Sequence, residues 1–480
     1  MSDTQLPGSS YENPLVTRYA GRAMRELFSP RRRALAWRDL WIALAQTQHE
    51  LGLGVTEAQL AELRAKREEI DFARVAELER DLRHDVMAHV LHYGELCPGA
   101  KPILHLGATS CFVTDNADLM LYREALTGVE SRLIAAIAAL RQQAIAHAEL
   151  PCLAYTHFQP AQPTTLGKRV CLWLQDLVWD LDQVVRIAHE LPMRGAKGTT
   201  GTQASYLELF DGDHAKVRAL DQRVAQLLGF EQVVAVSGQT YSRKIDHDIL
   251  AFLSGVAQSA AKFAFDMRLL SHEGELSEPF TDKQIGSSAM AYKRNPMRTE
   301  RICSLARLVQ SMALTGGLTA ANQWLERTLD DSAIRRVSLP ESFLAVDACL
   351  ILVANVARGM QVFPKMMQRH LDEHLPFLAT ETILMEGVRA GGDRQDLHEK
   401  IRQHAVAAAR RMKDEGIANP LVEVLENDPA FAFAHGRIRD LLDARRLVGR
   451  APEQVHEFLT EVVDYRLVGR DVDATDEVRV

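Results

Sequence analysis

Several patterns that identify common classes of protein are missing from this 480-residue sequence. Six cysteines are scattered along it without a CxxC pair, so we expect reduced thiols and no disulfide framework. Basic residues number 56 against 64 acidic residues, a net charge of −8, so we expect no nucleic-acid partner, which would need a basic face. No stretch of about 18 or more uninterrupted apolar residues is present, and we therefore expect no membrane span.

Signals for export and for nucleotide cofactors are missing as well. The N-terminal segment Met1–Ser10 is polar and lacks the apolar core of a signal peptide, so we expect a cytoplasmic protein. The glycines of Arg194–Gln203 recur at every third residue, which matches neither a GxGxxG nor a GxxxxGK[ST] pattern. The glycine spacing therefore excludes the usual nucleotide-cofactor folds.

The apolar residues, 47% of the chain, are sufficient for a large core, and the length predicts roughly three domains of about 150 residues. Between about residues 114 and 362, apolar residues step by three and four, which predicts an antiparallel bundle of long helices. The five segments are Leu119–Leu133, Val170–Val184, Ile249–Leu270, Ile302–Met312 and Phe343–Met360. We predict an all-α chain with an N-terminal helical domain at 1–110 that carries His84, the bundle at 111–362 and a C-terminal helical domain at 363–480.

Some apolar residues of these helices lie outside the predicted core stripe. Phe252, Phe265 and Leu269 are examples on the third segment. Apolar residues on more than one face of a helix indicate burial on more than one side. We therefore expect the bundle to pack against other subunits.

The polar loop Thr281–Pro296, TDKQIGSSAMAYKRNP, interrupts this helical pattern. Gly286 supplies backbone freedom, Ser287 and Lys293 supply a hydroxyl and a positive charge, and Asn295 supplies an amide. A loop of donors ahead of a helix can hold an anion. The alternative is an ordinary polar connection between two bundle helices.

Three other polar segments allow both a functional and a structural interpretation. Thr109 and Ser110 can bind a carboxylate or cap the following helix, and both can hold at once. The segment Glu326–Arg336 carries three arginines and a serine, which also fits a salt-bridged surface turn. His84, with His89 and His92 beyond it, does not match the spacing of a metal site, so we expect no metal and an acid/base or structural role.

Seven motifs together resemble the adenylosuccinate lyase family, within the fumarase/aspartase superfamily, whose members share a GSSxMxxKxNP loop. The motifs occur in order as RHDVMAH, LGATSCFVTDN, THFQPAQPTT, KGTTGTQAS, SGQTYSRK, GSSAMAYKRNP and ERTLDDSAIRR. The resemblance extends from about residue 15 to about residue 410. The family usually has proline where this chain has Ala291, which bears on loop closure rather than on chemistry.

The resemblance implies a three-domain, mostly helical fold and a homotetramer in which three subunits build each active site. It implies cleavage of adenylosuccinate to AMP and fumarate, and of succinyl-aminoimidazole carboxamide ribotide to its carboxamide ribotide and fumarate. These reactions are anti β-eliminations of purine biosynthesis on small-molecule substrates, and they need no cofactor.

The resemblance also implies roles for individual residues. Ser287 takes the carbon-bound proton, His157 protonates the departing nitrogen, and Lys293 stabilises the carbanion. His84 lies close to the substrate phosphate or assists the acid. The implied substrate-binding residues are Arg18, Tyr19, Asp85, Thr109, Ser110, Thr156, Gln239, Asn295, Arg301, Arg327, Ser332 and Arg336.

Three other functions remain open from the sequence. An argininosuccinate lyase or a carboxymuconate-type cycloisomerase shares the GSSxMxxKxNP loop, which is Gly286–Pro296 here and is named the serine loop, but not the arginine-rich ERTLDDSAIRR segment. A non-catalytic helical scaffold is the third, although Ser287, His157, His84 and Lys293 are all present.

Overall fold

A computed structural model describes residues 10–281, 284–434, 436, 438–472 and 478. Most of the polar N-terminal segment interpreted above, residues 1–9, lies outside the described residues. The same holds for Asp282 and Lys283 of the polar loop.

The first three quarters of the described chain form twelve α-helices, the longest of which build the bundle. Before the bundle lie α1 (Arg22–Leu27), α2 (Pro30–Glu50), α3 (Glu57–Ala65), α4 (Phe72–Leu82) and α5 (Asp85–Leu96). The following helices are α6 (Ser110–Ala146), α7 (Leu166–Glu190), α8 (Ala204–Leu209), α9 (His214–Leu227), α10 (Lys244–His272), α11 (Met297–Ala321) and α12 (Asp331–Gly359). Single turns of π- or 3-10 helix cover Leu15–Tyr19 and Lys101–Ile103.

Shorter helices follow the bundle. They are α13 (Pro364–Leu378), α14 (Thr380–Arg389), α15 (Arg394–Glu415), α16 (Leu421–Glu426), α17 (Ala444–Leu447), α18 (Ala451–Phe458) and α19 (Asp464–Leu467). Two 3-10 segments (Pro429–Ala434 and Ile438–Leu441) and a π turn (Leu459–Val463) lie among them.

The prediction of five long bundle helices is confirmed. Four apolar segments lie inside α6, α7, α10 and α11, and the fifth lies in α12 except for its last residue, Met360. Helix α12 packs against α6, α10 and α11, and α6 also packs against α7. The stripe residues Leu133, Val170, Leu253, Val309 and Leu350 have no exposed surface. The step of three and four residues therefore marks the sides on which these helices meet.

Helix α12 is apolar and long enough to cross a membrane by composition alone, with a mean hydropathy of 1.8 over 18 residues. That window is 83% buried inside the protein. Its contacts with three neighbouring helices account for this composition, because a central core helix must be apolar on all sides.

Two small antiparallel sheets qualify the all-α prediction. Strand β1 (Pro151–Thr156) pairs with β2 (Gln159–Thr165), and β3 (Leu276–Ser277) pairs with β4 (Gln361–Val362). The first hairpin joins α6 to α7. Strands β3 and β4 have two residues each, too few to show a period of two. Burial along β1 and β2 does not alternate strictly, so these strands also lack the usual signal.

The apolar cores bear on the three predicted domains, whose limits at 110 and 362 stay predictions. One buried cluster includes Trp41 of α2, the five bundle helices and Val455 of α18. A second cluster, from Ile383 to Ile438, belongs to the C-terminal helices alone. The last helices therefore return to the bundle after a separate C-terminal core.

The expectation that Phe252 is available to another subunit is wrong, because its side chain is buried within the chain. Phe265 and Leu269 of the same helix are exposed, at 51% and 43%. Phe252 faces neighbouring helices that the sequence pattern of α10 alone does not reveal.

Replacing Leu350 by alanine tests the central position of α12. Leu350 is fully buried, so we expect Leu350→Ala to lower the free energy of unfolding by about 2–5 kcal/mol. The matched control is Val406→Ala on α15, where the side chain is 60% exposed, with an expected change within about 0.5 kcal/mol. Urea unfolding followed by circular dichroism measures both. Equal losses in the two variants would contradict the assignment of Leu350 to the core.

Candidate active site

A cavity of about 610 Å³ lies where the N-terminal ends of α5, α6 and α12 meet. Six of the predicted site residues line it: His84, Asp85, Ser110, Arg327, Ser332 and Arg336. These residues are separated by up to 252 positions in the sequence (336 − 84). The fold therefore brings three of the sequence motifs to one place.

The arginine-rich segment begins in the α11–α12 connection and continues into the first turns of α12. Ser332 and Arg336 are four residues apart on α12, so both lie on the face that lines the cavity. Arg336 Nη2 lies 3.2 Å from Asp85 Oδ2, with 58% and 38% of the two side chains exposed. The N-terminus of a 29-residue helix adds a partial positive charge. This end of the cavity is suited to an anion such as a phosphate.

His84 occupies the N-cap position of α5, where its Nδ1 accepts the Met87 N–H at 3.3 Å. An Nδ1 that accepts leaves the ring proton on Nε2. That Nε2 lies 3.3 Å from Ser110 Oγ. Thr109, the N-cap residue of α6, makes no side-chain capping bond. The capping interpretation of the Thr109 side chain is therefore not supported, and Ser110 faces the cavity beside His84.

Cys111 connects two further predicted residues at the cavity wall. Its Sγ lies 2.8 Å from Arg327 Nη1 and 3.8 Å from Gln239 Oε1. The Gln239 backbone N–H also donates to the Glu326 carbonyl at 3.0 Å. Gln239 is thereby held next to the arginine-rich segment. Burial raises the pKa of the Cys111 thiol, so the group stays neutral near pH 7.

His157 lies at the tip of the first hairpin, outside this cavity. The pairing of Thr156 with Gln159 leaves His157 and Phe158 as a two-residue turn. Both residues have positive φ, 52° and 55°. Turns of this shape prefer asparagine and glycine, and a bulky residue there is strained. The hairpin therefore presents an exposed imidazole at its end on a defined backbone.

The serine loop is closed by contacts between its two ends. Asn295 Nδ2 donates to the Gly286 carbonyl at 2.8 Å, and a Cβ at Gly286 would lie 2.2 Å from the Lys293 carbonyl oxygen. Only glycine allows that approach. Ser287 Oγ accepts the Met290 N–H at 3.2 Å. Lys293 is exposed, and so is Ala291 at the outer side of the loop.

Tyr19 and Arg301 form a third group. The Arg301 guanidinium lies 5.1 Å from the centre of the Tyr19 ring, a cation–π distance. Arg18 is exposed beside Tyr19. The polar character of Arg18 and Tyr19 suggests a loop, but Leu15–Tyr19 is a π-helical turn that packs on α12. The carbonyl of Leu15 accepts the Ala20 N–H across five residues, which a sequence pattern does not reveal.

Helix length separates the cavity from the hairpin within one chain. Helix α6 has 37 residues, and a rise of about 1.5 Å per residue makes it about 55 Å long. Ser110 begins it, and the hairpin follows its far end after a tight turn at His147–Leu150. A strand of about six residues spans about 20 Å, so His157 lies at least about 30 Å from Ser110.

The serine loop lies at the hairpin's end of the bundle. Arg243, next to the start of α10, lines the cavity. The 29 residues of α10 extend about 43 Å from there. The serine loop comes after that far end and leads into α11. One chain therefore carries Ser287 and His157 at one end of the bundle and His84, Ser110 and Arg336 at the other.

Comparison with known proteins agrees with these motifs. A family model described as Lyase matches residues 43–311, and one described as Adenylosuccinate lyase C-terminus matches residues 376–458. Adenylosuccinate lyase of Saccharomyces cerevisiae is 50% identical over 95% of this chain and 96% of its own length. The enzyme of Schistosoma mansoni is 48% identical over 95% of both chains. The chain belongs to the adenylosuccinate lyase family.

Solved structures of the wider superfamily share the fold. A fumarate lyase from a Mesorhizobium species superposes with a TM-score of 0.79 at 24% identity, covering 96% of this chain and all of its own. A 3-carboxy-cis,cis-muconate lactonizing enzyme from Pseudomonas putida gives 0.80 at 26% identity, covering 94% and 99%. The predicted fumarase/aspartase-like fold is confirmed.

The cavity wall also holds a buried ionic cluster that was not predicted from the sequence. Arg243 and Arg335 line the cavity but are almost fully buried, and each is paired with aspartates. Asp115 and Asp118 lie four residues before Leu119 and Tyr122, on the stripe by which α6 packs. An acidic residue in register with an apolar stripe is the signal that could have identified this cluster.

His105 supports the loop that leads to Thr109 and Ser110 in this lyase. Its backbone has a positive φ of 64°, and its Nδ1 accepts the Trp41 Nε1–H at 2.9 Å. Burial, and then the nearby His84, lowers the pKa of His105 to about 4. The imidazole is therefore neutral in the folded protein, which keeps Nδ1 free to accept.

Replacing His105 by asparagine tests this arrangement through pH. Unfolded histidine binds a proton below about pH 6.5, whereas folded His105 does not until about pH 4. The folded state therefore loses stability as pH falls through this window, by up to about 1.4 kcal/mol per pH unit. In His105→Asn the amide oxygen still accepts from Trp41, and asparagine tolerates positive φ. We expect a shallower loss in urea unfolding between pH 6.5 and 4, and unchanged profiles would refute the neutral, partly buried imidazole.

Proposed function

We propose that this chain cleaves adenylosuccinate to AMP and fumarate, and succinyl-aminoimidazole carboxamide ribotide to its carboxamide ribotide and fumarate. Relatives at 48% and 50% identity over 95% of the chain bear the name adenylosuccinate lyase. The observation that carries the substrate class is the group Arg327, Ser332 and Arg336 at the N-terminal end of α12. Guanidinium groups and a helix N-terminus suit a phosphate monoester.

The reaction removes a proton from a carbon next to a carboxylate and breaks a C–N bond on the opposite side. We assign the proton abstraction to Ser287 as the base. The intermediate carries a second negative charge delocalised into its carboxylate, which calls for preorganised donors and a cation. Lys293 and the backbone N–H groups of the serine loop supply them. Asn295 donates to the Gly286 carbonyl and thereby holds the ends of this loop together. We assign to the same amide a contact with a substrate carboxylate.

The departing nitrogen needs a proton. His157, exposed at the hairpin tip, supplies it as the general acid, a role that histidine takes more often than any other side chain. His84 assists from the cavity, where its Nε2–H lies next to Ser110 Oγ. This hydrogen bond orients the Ser110 hydroxyl, whose own proton is then available to a substrate carboxylate.

The other predicted residues bind the two halves of the substrate. Thr109, Ser110 and Thr156 hold the succinyl carboxylates together with Lys293 and Asn295. Asp85 contacts the base or the ribose, and Gln239 and Arg301 make further contacts. Arg18 and Tyr19 complete the phosphate site with the arginines of α12. The reaction needs neither a metal nor another cofactor, and we expect it to occur in the cytoplasm.

The active unit is a homotetramer in which three subunits build each site. The distance of at least about 30 Å between His157 and Ser110 in one chain requires another copy to supply the acid. Exposed apolar side chains on the bundle helices support this assembly, including Trp179, Phe265 and Leu314 at 59%, 51% and 70% exposure. Burial of such side chains drives association.

The alternatives are separated by the phosphate site. An argininosuccinate lyase or a cycloisomerase acts on substrates without a phosphate and has no use for the arginines of α12. A non-catalytic scaffold needs neither those arginines nor the strained turn at His157. Strain of this kind persists where it serves a site.

Fumarate release from purified protein tests the proposal directly. We expect release from adenylosuccinate and none from argininosuccinate in a parallel reaction. Ser287→Ala should lower kcat by about 10²–10⁴-fold, the usual contribution of a general base, with the tetramer intact by light scattering. Release from argininosuccinate alone would overturn the phosphate assignment. An inactive but tetrameric wild-type protein would favour the scaffold.

Mixing two inactive variants tests whether sites are shared. His157→Ala and Arg336→Ala remove groups that we place on different subunits of one site. Random assembly of equal amounts leaves about a quarter of the sites with both native residues, so we expect about a quarter of wild-type activity after joint refolding. Each variant refolded alone is the control. No recovery from mixed tetramers would mean that one chain supplies both residues.

A further inference from the structure

Two arginines in the cavity wall direct their guanidinium groups to acidic side chains of the protein rather than into the cavity. Arg335 Nε donates to Asp246 Oδ2 at 2.6 Å, and its Nη2 lies 3.0 Å from Asp118 Oδ2 and also donates to the Tyr241 hydroxyl. Arg335 is 8% exposed, whereas its neighbour Arg336 is exposed. Adjacent residues on a helix point about 100° apart, so one arginine faces the bundle and the other the cavity.

Arg243 completes the cluster from a second direction. It lies 2.7 Å from Asp331 Oδ2 and 3.1 Å from Asp115 Oδ2, and it is 2% exposed. Asp115 Oδ2 also accepts the Tyr241 N–H at 3.0 Å. Tyr241 in turn donates its hydroxyl proton to Asp246 Oδ1 at 2.5 Å. Every member is therefore tied to at least one other by a hydrogen bond.

The cluster joins three elements that build the cavity. Asp115 and Asp118 are on α6, just after Ser110. The segment 241–246 leads into α10 and follows Gln239. Asp331 and Arg335 are on the first turns of α12. Asp331 directly precedes Ser332, and Arg335 directly precedes Arg336. These ion pairs therefore set the spacing between the groups that we assign to the phosphate and those that we assign to the carboxylates.

Stability alone does not explain this arrangement. Burying two guanidinium groups and four carboxylates costs desolvation energy, and well-packed apolar side chains would stabilise the same contact as well. Paired charges do specify one geometry, since a planar guanidinium must meet its acceptors in its own plane. The remainder of the bundle contact between α6 and α12 is mostly apolar.

We propose that Arg335 and Arg243 are positioning residues for this lyase, which hold Ser332, Arg327 and Arg336 in phosphate-binding geometry without touching the substrate. The inference rests on the proposed function, because it assigns a purpose to the same site. Arg335 sets the rotation of α12 about its axis, and Arg243 holds the first residue of that helix through Asp331.

A charge-neutral double substitution tests Arg335. The pair Arg335→Met and Asp246→Asn removes one cation and one anion, so the net charge of the cluster is unchanged. The matched control is Arg141→Met with Asp464→Asn, a pair at 2.6 Å between α6 and α19. Arg141 lies 31 residues after Ser110 on α6, about 46 Å along the helix from the cavity. Arg335→Lys is a milder variant that keeps the positive charge but loses the planar set of N–H donors of the guanidinium group.

The readout separates the two halves of the substrate. AMP carries the phosphate and fumarate does not, so calorimetric dissociation constants for each report on one half. For the cluster variant we expect the AMP constant and the adenylosuccinate KM to rise about 10-fold or more, while kcat stays within about 3-fold and the fumarate constant does not change. Arg335→Lys should give an intermediate rise, and the control pair should leave all four values unchanged.

Each other result has a definite meaning. Equal rises for AMP and fumarate, or the same rise in the control pair, would show a structural role only and overturn the proposal. If the double variant does not fold, Arg335→Lys provides the test. A wild-type AMP dissociation constant in Arg335→Lys would refute positioning by the guanidinium group. A wild-type protein that binds AMP but does not cleave adenylosuccinate would refute the proposed function. The AMP dissociation constants of the variants would then still test the positioning role.

Discussion

The burial of long helices against one another is the constraint on which the rest of this structure depends. Helix α12 is covered by α6, α10 and α11 along most of its 29 residues. Such a core accepts few polar groups, because a buried polar atom without a partner is costly. The residues that we assign to the substrate accordingly lie mostly in caps, turns and connections at the ends of the bundle.

The two ends are distinct. One end holds the cavity of His84, Ser110 and Arg336, and the other holds the strained hairpin tip and the glycine-closed serine loop. The bundle keeps these two ends apart, so a single chain does not bring together the residues that we assign to one site. The proposed homotetramer would join them and would also cover exposed apolar faces.

Much of this could be predicted from local pattern. The steps of three and four residues identified all five bundle helices, and the motif residues Ser110 and Arg336 were singled out before their neighbours were known. The burial of Phe252 could not be predicted, because it depends on which helices pack on both sides of α10. The hairpin at His157 was missed because its turn residues carry no asparagine or glycine signal. Arg335 is buried and Arg336 is exposed because of the rotation of α12 about its axis, which two consecutive arginines in the sequence do not reveal.

The sequence by itself determined the helical class, the family and the kinds of residue that can perform an elimination, since periodicity and motifs are local properties of the chain. Tertiary structure alone decided which of those residues share a cavity. It separated His157 from Ser110 by the length of a helix and assigned Arg243 and Arg335 to a buried ionic cluster. The physical reason is that distance and desolvation depend on the packing of segments far apart in the chain, and no local pattern contains that information.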